Sequence, residues 1–247
     1  MTEFLTGTAI LLGYYLVVVF ALPLAARAFT PLPLEVIRKM QHVAYALSVF
    51  LLLGLFEHWY VAVAAAAALP LVAAPVLAIW ERHPSYRRLL TDRGAAGGAR
   101  GGELRRQMGY VQVAFAVLIA VFWGGLGPDW RPLVAAAAML WGFGDAAAAL
   151  VGKLKGRHRV RHRAVEGAKT YEGTAAMVAV GAAATFATLL LYGGAPWWVS
   201  LAAAALVAPV AGVVELFSRR GIDTLTVPLA SAAALVPWWL LAAAVAR

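Results

Sequence analysis

Apolar runs about twenty residues long follow one another along this chain, separated by short polar connections. Eight stand out, at about 4–26, 39–56, 59–80, 108–126, 131–151, 173–192, 196–217 and 225–246. An α-helix needs roughly 20 mostly apolar residues to cross the hydrocarbon of a bilayer. Only helices and closed barrels satisfy every backbone polar group in lipid, and barrels need short strands of alternating polarity. The unbroken Ala, Leu and Val texture therefore predicts an all-α polytopic membrane protein of about eight transmembrane helices. The break is faintest between 39 and 80, where Glu57 and His58 alone signal a turn. The first run lacks the basic flank and cleavage signal of a secretory leader and reads as the first span. Eight spans leave no room for a separate soluble domain, so residues 1–247 read as one membrane domain. Its longest polar stretches are 81–107 and 153–172.

Composition agrees: 63% of the residues are apolar and 13% charged, against about 45–50% and 25% in soluble domains. Disorder is excluded, and the absence of cysteine excludes a disulfide scaffold. The net charge of +9 would suit nucleic acid, but the positions of the cations argue otherwise. With the N-terminus outside, one side receives Arg27, Arg38 and Lys39, then Arg82, Arg87, Arg88, Arg93, Arg100, Arg105 and Arg106. It also receives Lys153, Lys155, Arg157, Arg159, Arg161, Arg163 and Lys169, then Arg219 and Arg220. Of the 21 Lys and Arg, only Arg131 and Arg247 remain for the other side. The positive-inside rule makes the crowded side cytoplasmic and puts both termini on the non-cytoplasmic side. The basic excess is thus a topology signal that also suits anionic head groups. The expected location is a bacterial-type inner (cytoplasmic) membrane, with membrane lipid and no nucleic acid as partner.

Ionisable residues at membrane depth are costly and point to function. Asp145, in Trp141-Gly142-Phe143-Gly144-Asp145, is the foremost and suits a metal or proton site. The neighbouring glycines only superficially match a dinucleotide fingerprint, since no strand precedes them, and the spacing to Gly152-Lys153 is wrong for a P-loop. His158 and His162 have a spacing that can ligate zinc on a helix, without the usual companions. In Lys169-Thr170-Tyr171-Glu172-Gly173, Lys169 can act as a point charge on phosphate and Glu172 can hold a hard cation such as Mg²⁺. Glu215, Asp223 and Thr224 fall on the same predicted side, as do Lys39 and His42, which share a helix face. Glu103-Leu104-Arg105-Arg106 to Gly109-Tyr110 opens the fourth run. Carboxylates with Lys and Arg at one membrane face form the inventory of metal-assisted phosphoryl transfer.

These elements, taken in order over about residues 38–230, resemble the polyprenol kinase family, which includes dolichol, phytol and farnesol kinases and CTP-dependent diacylglycerol kinase. The resemblance rests on Arg38-Lys39-x-x-His42, Glu103 to Tyr110, Gly144-Asp145 to Gly152-Lys153, Lys169 to Gly173, and Glu215 with Asp223-Thr224-Leu225-Thr226-Val227-Pro228. It implies an integral membrane lipid kinase using CTP and a divalent cation on a lipid alcohol. In that reading Asp145, Lys169, Glu172, Asp223 and His42 are catalytic, and Asp145, Glu172, Glu215 and Asp223 hold Mg²⁺ or another divalent cation. Gly144, Lys153, Lys169, Gly173, Arg105, Arg106, Lys39 and Thr224 contact the nucleotide. The family usually has Asp-Asn where this chain has Asp223-Thr224, which keeps a hydroxyl but loses the amide.

The resemblance makes the expected function the CTP-dependent phosphorylation of phytol, a polyprenol or dolichol-type alcohol, or diacylglycerol at the cytoplasmic face. One alternative is a phosphatidate cytidylyltransferase, which shares the Asp…Gly-Lys…Lys-Thr-x-Glu-Gly region. Its C-terminal signature has histidine, whereas no histidine follows His162 here. A second alternative is a non-enzymatic transporter. It predicts paired discontinuous spans in two halves, and no internal repeat is visible.

Overall fold

Eight helices long and apolar enough to cross a membrane are present in a computed structural model that describes residues 1–83, 102–165, 169–218 and 221–245. They are α1 (Thr2–Phe29), α2 (Leu34–Gly54), α3 (Trp59–Trp80), α4 (Arg105–Gly124), α5 (Pro128–Lys155), α6 (Tyr171–Leu191), α7 (Trp197–Phe217) and α8 (Asp223–Val245). The all-α expectation therefore holds, span by span. Arg87, Arg88, Arg93, Arg100, Gly167, Arg219, Arg220 and Arg247 lie outside the described residues.

Local chemistry sets the ends of these helices. Pro33 and Pro196 precede α2 and α7 in extended conformation, and Pro132 is the second residue of the α-helical part of α5, which starts at Arg131. Proline fits there because the first helical N–H groups have no intrahelical partner. Thr170 caps α6, its hydroxyl accepting from the Gly173 N–H at 3.1 Å. At Gly194 and Gly221 the chain turns with φ of 62° and 80°, the left-handed region that favours glycine. The faint break between 39 and 80 is a tight turn at residues 55–58. There the Glu3 carboxylate accepts from the backbone N–H of Glu57 at 2.7 Å and from that of His58. This clamp ties the start of α1 to the α2–α3 turn.

α5 is the axis of the bundle. Its most apolar window is 67% buried, against 22% in α1. It packs on α2, α6 and α8, and α7 packs on α6 and α8. Small residues permit this crowding. A Cβ on Gly142 would stand 2.2 Å from the Ala46 Cβ of α2, and one on Gly144 would stand 3.1 Å from the Met177 side chain of α6. Hydrocarbon tails are as apolar as leucine, so close backbone approach is what holds helices together in lipid. α1 widens into a π-helical stretch over Tyr15–Ala21, just before Pro23. Proline cannot donate to that ladder and crowds the preceding turn, so the local widening has an identifiable cause. Along its length α1 is joined to the bundle by Tyr14, whose hydroxyl donates to the Ala44 carbonyl at 2.8 Å, and by Tyr15, 3.0 Å from the Ser48 hydroxyl.

Candidate functional site

The site grows from one buried carboxylate. Asp145 lies ten residues before the end of α5, about 15 Å at the helical rise of 1.5 Å per residue. Its side chain is 5% exposed, and one oxygen accepts from Lys39 Nζ at 2.7 Å and meets His42 Nδ1 at 2.6 Å. Lys39 and His42 stand one turn apart on α2, so a single helix face delivers both to the acid. The Gly142–Ala46 approach, one turn below, sets the helix separation that makes these short contacts possible. The His42 ring also packs against Trp141, with centroids 5.5 Å apart.

A second ion pair stands beside the first. Lys169 Nζ lies 2.9 Å from Glu215 Oε1, and it also donates to the Glu215 and Ser218 backbone carbonyls at the end of α7. The Glu215 carbonyl also accepts from the Ser218 N–H at 3.1 Å, and a lysine at this end adds a donor to the last carbonyls and offsets the negative end of the helix dipole. Asp223 supplies the third acid from the first turn of α8. Asp145, Glu215 and Asp223 each present a carboxylate oxygen within 4.8 Å of the others. Asp223 Oδ1 is buried without a hydrogen-bond partner among the described residues. Three acids from three helices are therefore drawn together, balanced by Lys39 and Lys169.

Above the acids opens a cavity of about 780 Å³, within the range of small-molecule sites. Asp145, Glu215, Lys39, Lys153, Lys169 and Gly173 all line it. The loop between α5 and α6 folds back to form one wall. Val160 N–H donates to the Lys169 carbonyl at 2.9 Å and Tyr171 N–H to the His158 carbonyl at 3.0 Å. This pairing puts Arg159 on the cavity and holds Thr170 over Gly152. Gly173 is squeezed: a Cβ there would sit 2.8 Å from the Ala148 carbonyl oxygen.

Other residues singled out in the sequence sit elsewhere. Glu172 is not among the cavity-lining residues. Its carboxylate meets His158 Nδ1 at 2.6 Å and accepts from the His158 backbone N–H, anchoring the loop to the start of α6. Among the described residues His158 and His162 have separate partners: His158 Nδ1 meets Glu172, while His162 accepts from the Ala164 N–H and packs its ring on Phe217. Arg105 forms a two-pronged pair with Glu81, at 2.9 and 3.2 Å, which joins α4 to the end of α3. Arg106 is exposed nearby, and neither arginine lines the cavity. Gly144 faces Met177 and Gly181 in the α5–α6 contact, and Thr224 is buried beside Asp223. Sequence reasoning missed Glu35, and it read Arg159 as one cation of a basic run, yet both line the cavity. Glu35 pairs with Arg38 at 3.6 Å, one turn on, a spacing that was open to inspection.

Fold and site together define a polytopic membrane protein with an acidic cluster beneath a cation-rimmed polar cavity at one end of its bundle. No protein-family model matches the chain, and no solved structure matches it. Among curated proteins, it is 38% identical over 130 residues to a phytol kinase from Synechocystis sp., an alignment covering 52% of this chain and 54% of that protein. The chain thus spans about half the length of this curated relative. The similarity supports a polyprenol- or phytol-kinase-like family for this protein and does not favour the cytidylyltransferase or the transporter.

Proposed function

We propose that the protein transfers the γ-phosphoryl group of CTP to the hydroxyl of a membrane-embedded alcohol, with phytol-like isoprenoid alcohols first among its substrates. The observation that carries this reading is the Asp145–Glu215–Asp223 cluster, three oxygens within 4.8 Å, of which Asp145 and Glu215 line a cavity together with Lys39, Lys153 and Lys169. The similarity to a phytol kinase points the same way. The cation-rich end then faces the cytoplasm, where the nucleotide is, and the alcohol reaches the same place from within the bilayer.

The residues fit a divalent cation. Hard oxygen donors from a few carboxylates plus substrate phosphates are what Mg²⁺ prefers, and Asp223 Oδ1 is a buried acceptor that meets no donor among the described residues. Asp145, Glu215 and Asp223 would hold the ion, which when bound would offset charge on the phosphates. Lys39 and Lys169 neutralise the acids in the structure described here. When a triphosphate arrives, both lysines gain phosphate oxygens as further partners, and Lys153 and Arg159 add charge from the cavity wall. The alcohol oxygen bonds to the γ-phosphorus, the bond from that phosphorus to the β–γ bridging oxygen breaks, and CDP leaves. The alcohol's proton passes to the His42–Asp145 pair. Most of the rate advantage comes from positioning and electrostatic stabilisation, as is general for phosphoryl transfer.

The test is purified protein with CTP labelled at the γ- or the α-phosphate and a panel of lipid alcohols together with phosphatidate. γ-label in the lipid product is the expected result. α-label there would replace this reading with a cytidylyltransferase, and no label in any lipid would remove enzymatic transfer.

A further inference from the structure

An apolar groove of about 370 Å³ runs along the membrane side of the same site, walled by α1, α2 and α5. Resting on the kinase reading above, we infer that this groove holds a single isoprenoid or alkyl chain and presents its hydroxyl end beside Lys39. The argument is one of helix rotation. Successive residues of a helix point about 100° apart. Lys39, His42 and Asp145 form the ion-pair cluster, and the residue following each of them, Met40, Val43 and Ala146, lines the groove. Lys39 itself lines both the groove and the polar cavity. The two spaces therefore adjoin on the same two helices and share one side chain, that of Lys39.

The walls fit a hydrocarbon. Lys39 is the one charged residue among the groove's lining, and the rest are apolar. α1 closes the far wall with Val18, Leu22 and Pro23, at the end of its widened π-helical stretch. The volume lies toward the small end of ligand sites, about 300–1,000 Å³, which suits part of one chain better than the paired chains of a glycerolipid. A separate apolar groove by Phe50, Phe143 and Leu191 shares no lining residue with the polar cavity. It offers no place for a second chain of the same substrate.

The experiment uses the full chain in lipid nanodiscs and a long-chain isoprenoid alcohol carrying a diazirine in its tail. Photolabel should map to 40–47 of α2 and 146–150 of α5. Val43→Trp, which fills the groove, should cut that label and raise the KM for the long alcohol at least about tenfold, the loss of roughly two buried methylenes. The KM for a short water-soluble allylic alcohol should stay within about twofold, since such an alcohol has no tail to place. Leu150→Trp fills the same groove from the other helix and should act alike, while Leu191→Trp in the separate groove should change neither quantity. Label spread evenly over the lipid-facing helices, or unchanged by both filling variants, would overturn the proposal. So would displacement of the label by diacylglycerol, because a two-chain lipid would then fit. If the wild-type protein phosphorylates no alcohol, the kinase reading falls, while the photolabel pattern still decides the groove.

Discussion

Asp145 and its two α2 partners form a unit that no member can leave without cost. An ionised acid in the membrane interior is tolerated when it is paired, and here one oxygen meets both Lys39 and His42 within 2.7 Å. Removing one side of a buried ion pair leaves an uncompensated charge and costs about 3–5 kcal/mol. Lys39→Met should therefore lower stability by about that amount, read as a fall in the denaturation midpoint in detergent. Adding Asp145→Asn to it should recover much of the loss, because the stranded charge is gone; additive losses would mean the pair is not coupled. Activity should behave oppositely. Asp145→Asn alone keeps the shape of the side chain but removes the charge, and transfer should drop at least about 100-fold with helical circular dichroism unchanged. A rate near wild type would take Asp145 out of the mechanism. Each residue of this unit could be singled out in the sequence, Asp145 by its apolar surroundings and Lys39 with His42 by their spacing. Their pairing could not, since more than a hundred positions separate Lys39 and His42 from Asp145 and the rotation of each helix decides what meets.

At the scale of elements, glycine positions govern whether the charged residues meet. Gly142 allows α2 and α5 to touch one turn below Asp145, where an added Cβ would lie 2.2 Å from that of Ala46. Gly142→Leu forces the two helices apart, and overpacking of this kind costs about 1–3 kcal/mol. Its larger effect should be on catalysis, since Lys39 and His42 move away from Asp145 together. The expected outcome is a folded protein with transfer reduced more than its modest loss of thermal stability explains. Retained activity at wild-type level would show that the α2–α5 spacing does not matter. The helices themselves were legible because span length is a local property, set by bilayer thickness and read from some twenty residues at a time. Even the doubtful turn at Glu57 and His58 was marked, although its clamp, the Glu3 carboxylate, comes from another helix. Glu172 shows where local reading stops. Its place at the start of α6 suited a cation ligand or a helix-dipole acid, and its contact with His158 was decided by how the α5–α6 loop folds back. Arg159 was hidden for the same reason, being one cation among many until that loop set it against the cavity.

The whole molecule is polarised. Asp145, Glu215, Asp223 and the lysines occupy one end of the bundle, and the Glu3 clamp on the α2–α3 turn lies at the other. The biased distribution of Lys and Arg predicts that the acid-cluster end faces the cytoplasm, and a nucleotide donor requires it. The chain offers an unusually clean way to ask, because it contains no cysteine. Single cysteines at Arg163, exposed in the α5–α6 loop, and at Asp129, exposed in the opening turn of α5, sample the two ends without background labelling. A membrane-impermeant maleimide should modify Asp129→Cys in right-side-out vesicles and Arg163→Cys in inverted ones. Because the eight helices alternate in direction, a single inversion would exchange every connection at once. The reverse labelling pattern would thus place the three acids and the cavity opposite the cytosolic nucleotide pool. The kinase reading would then fail on access alone, however well the carboxylates suit a cation, whereas the expected pattern leaves the nucleotide an open path to Lys153 and Lys169 at the cavity.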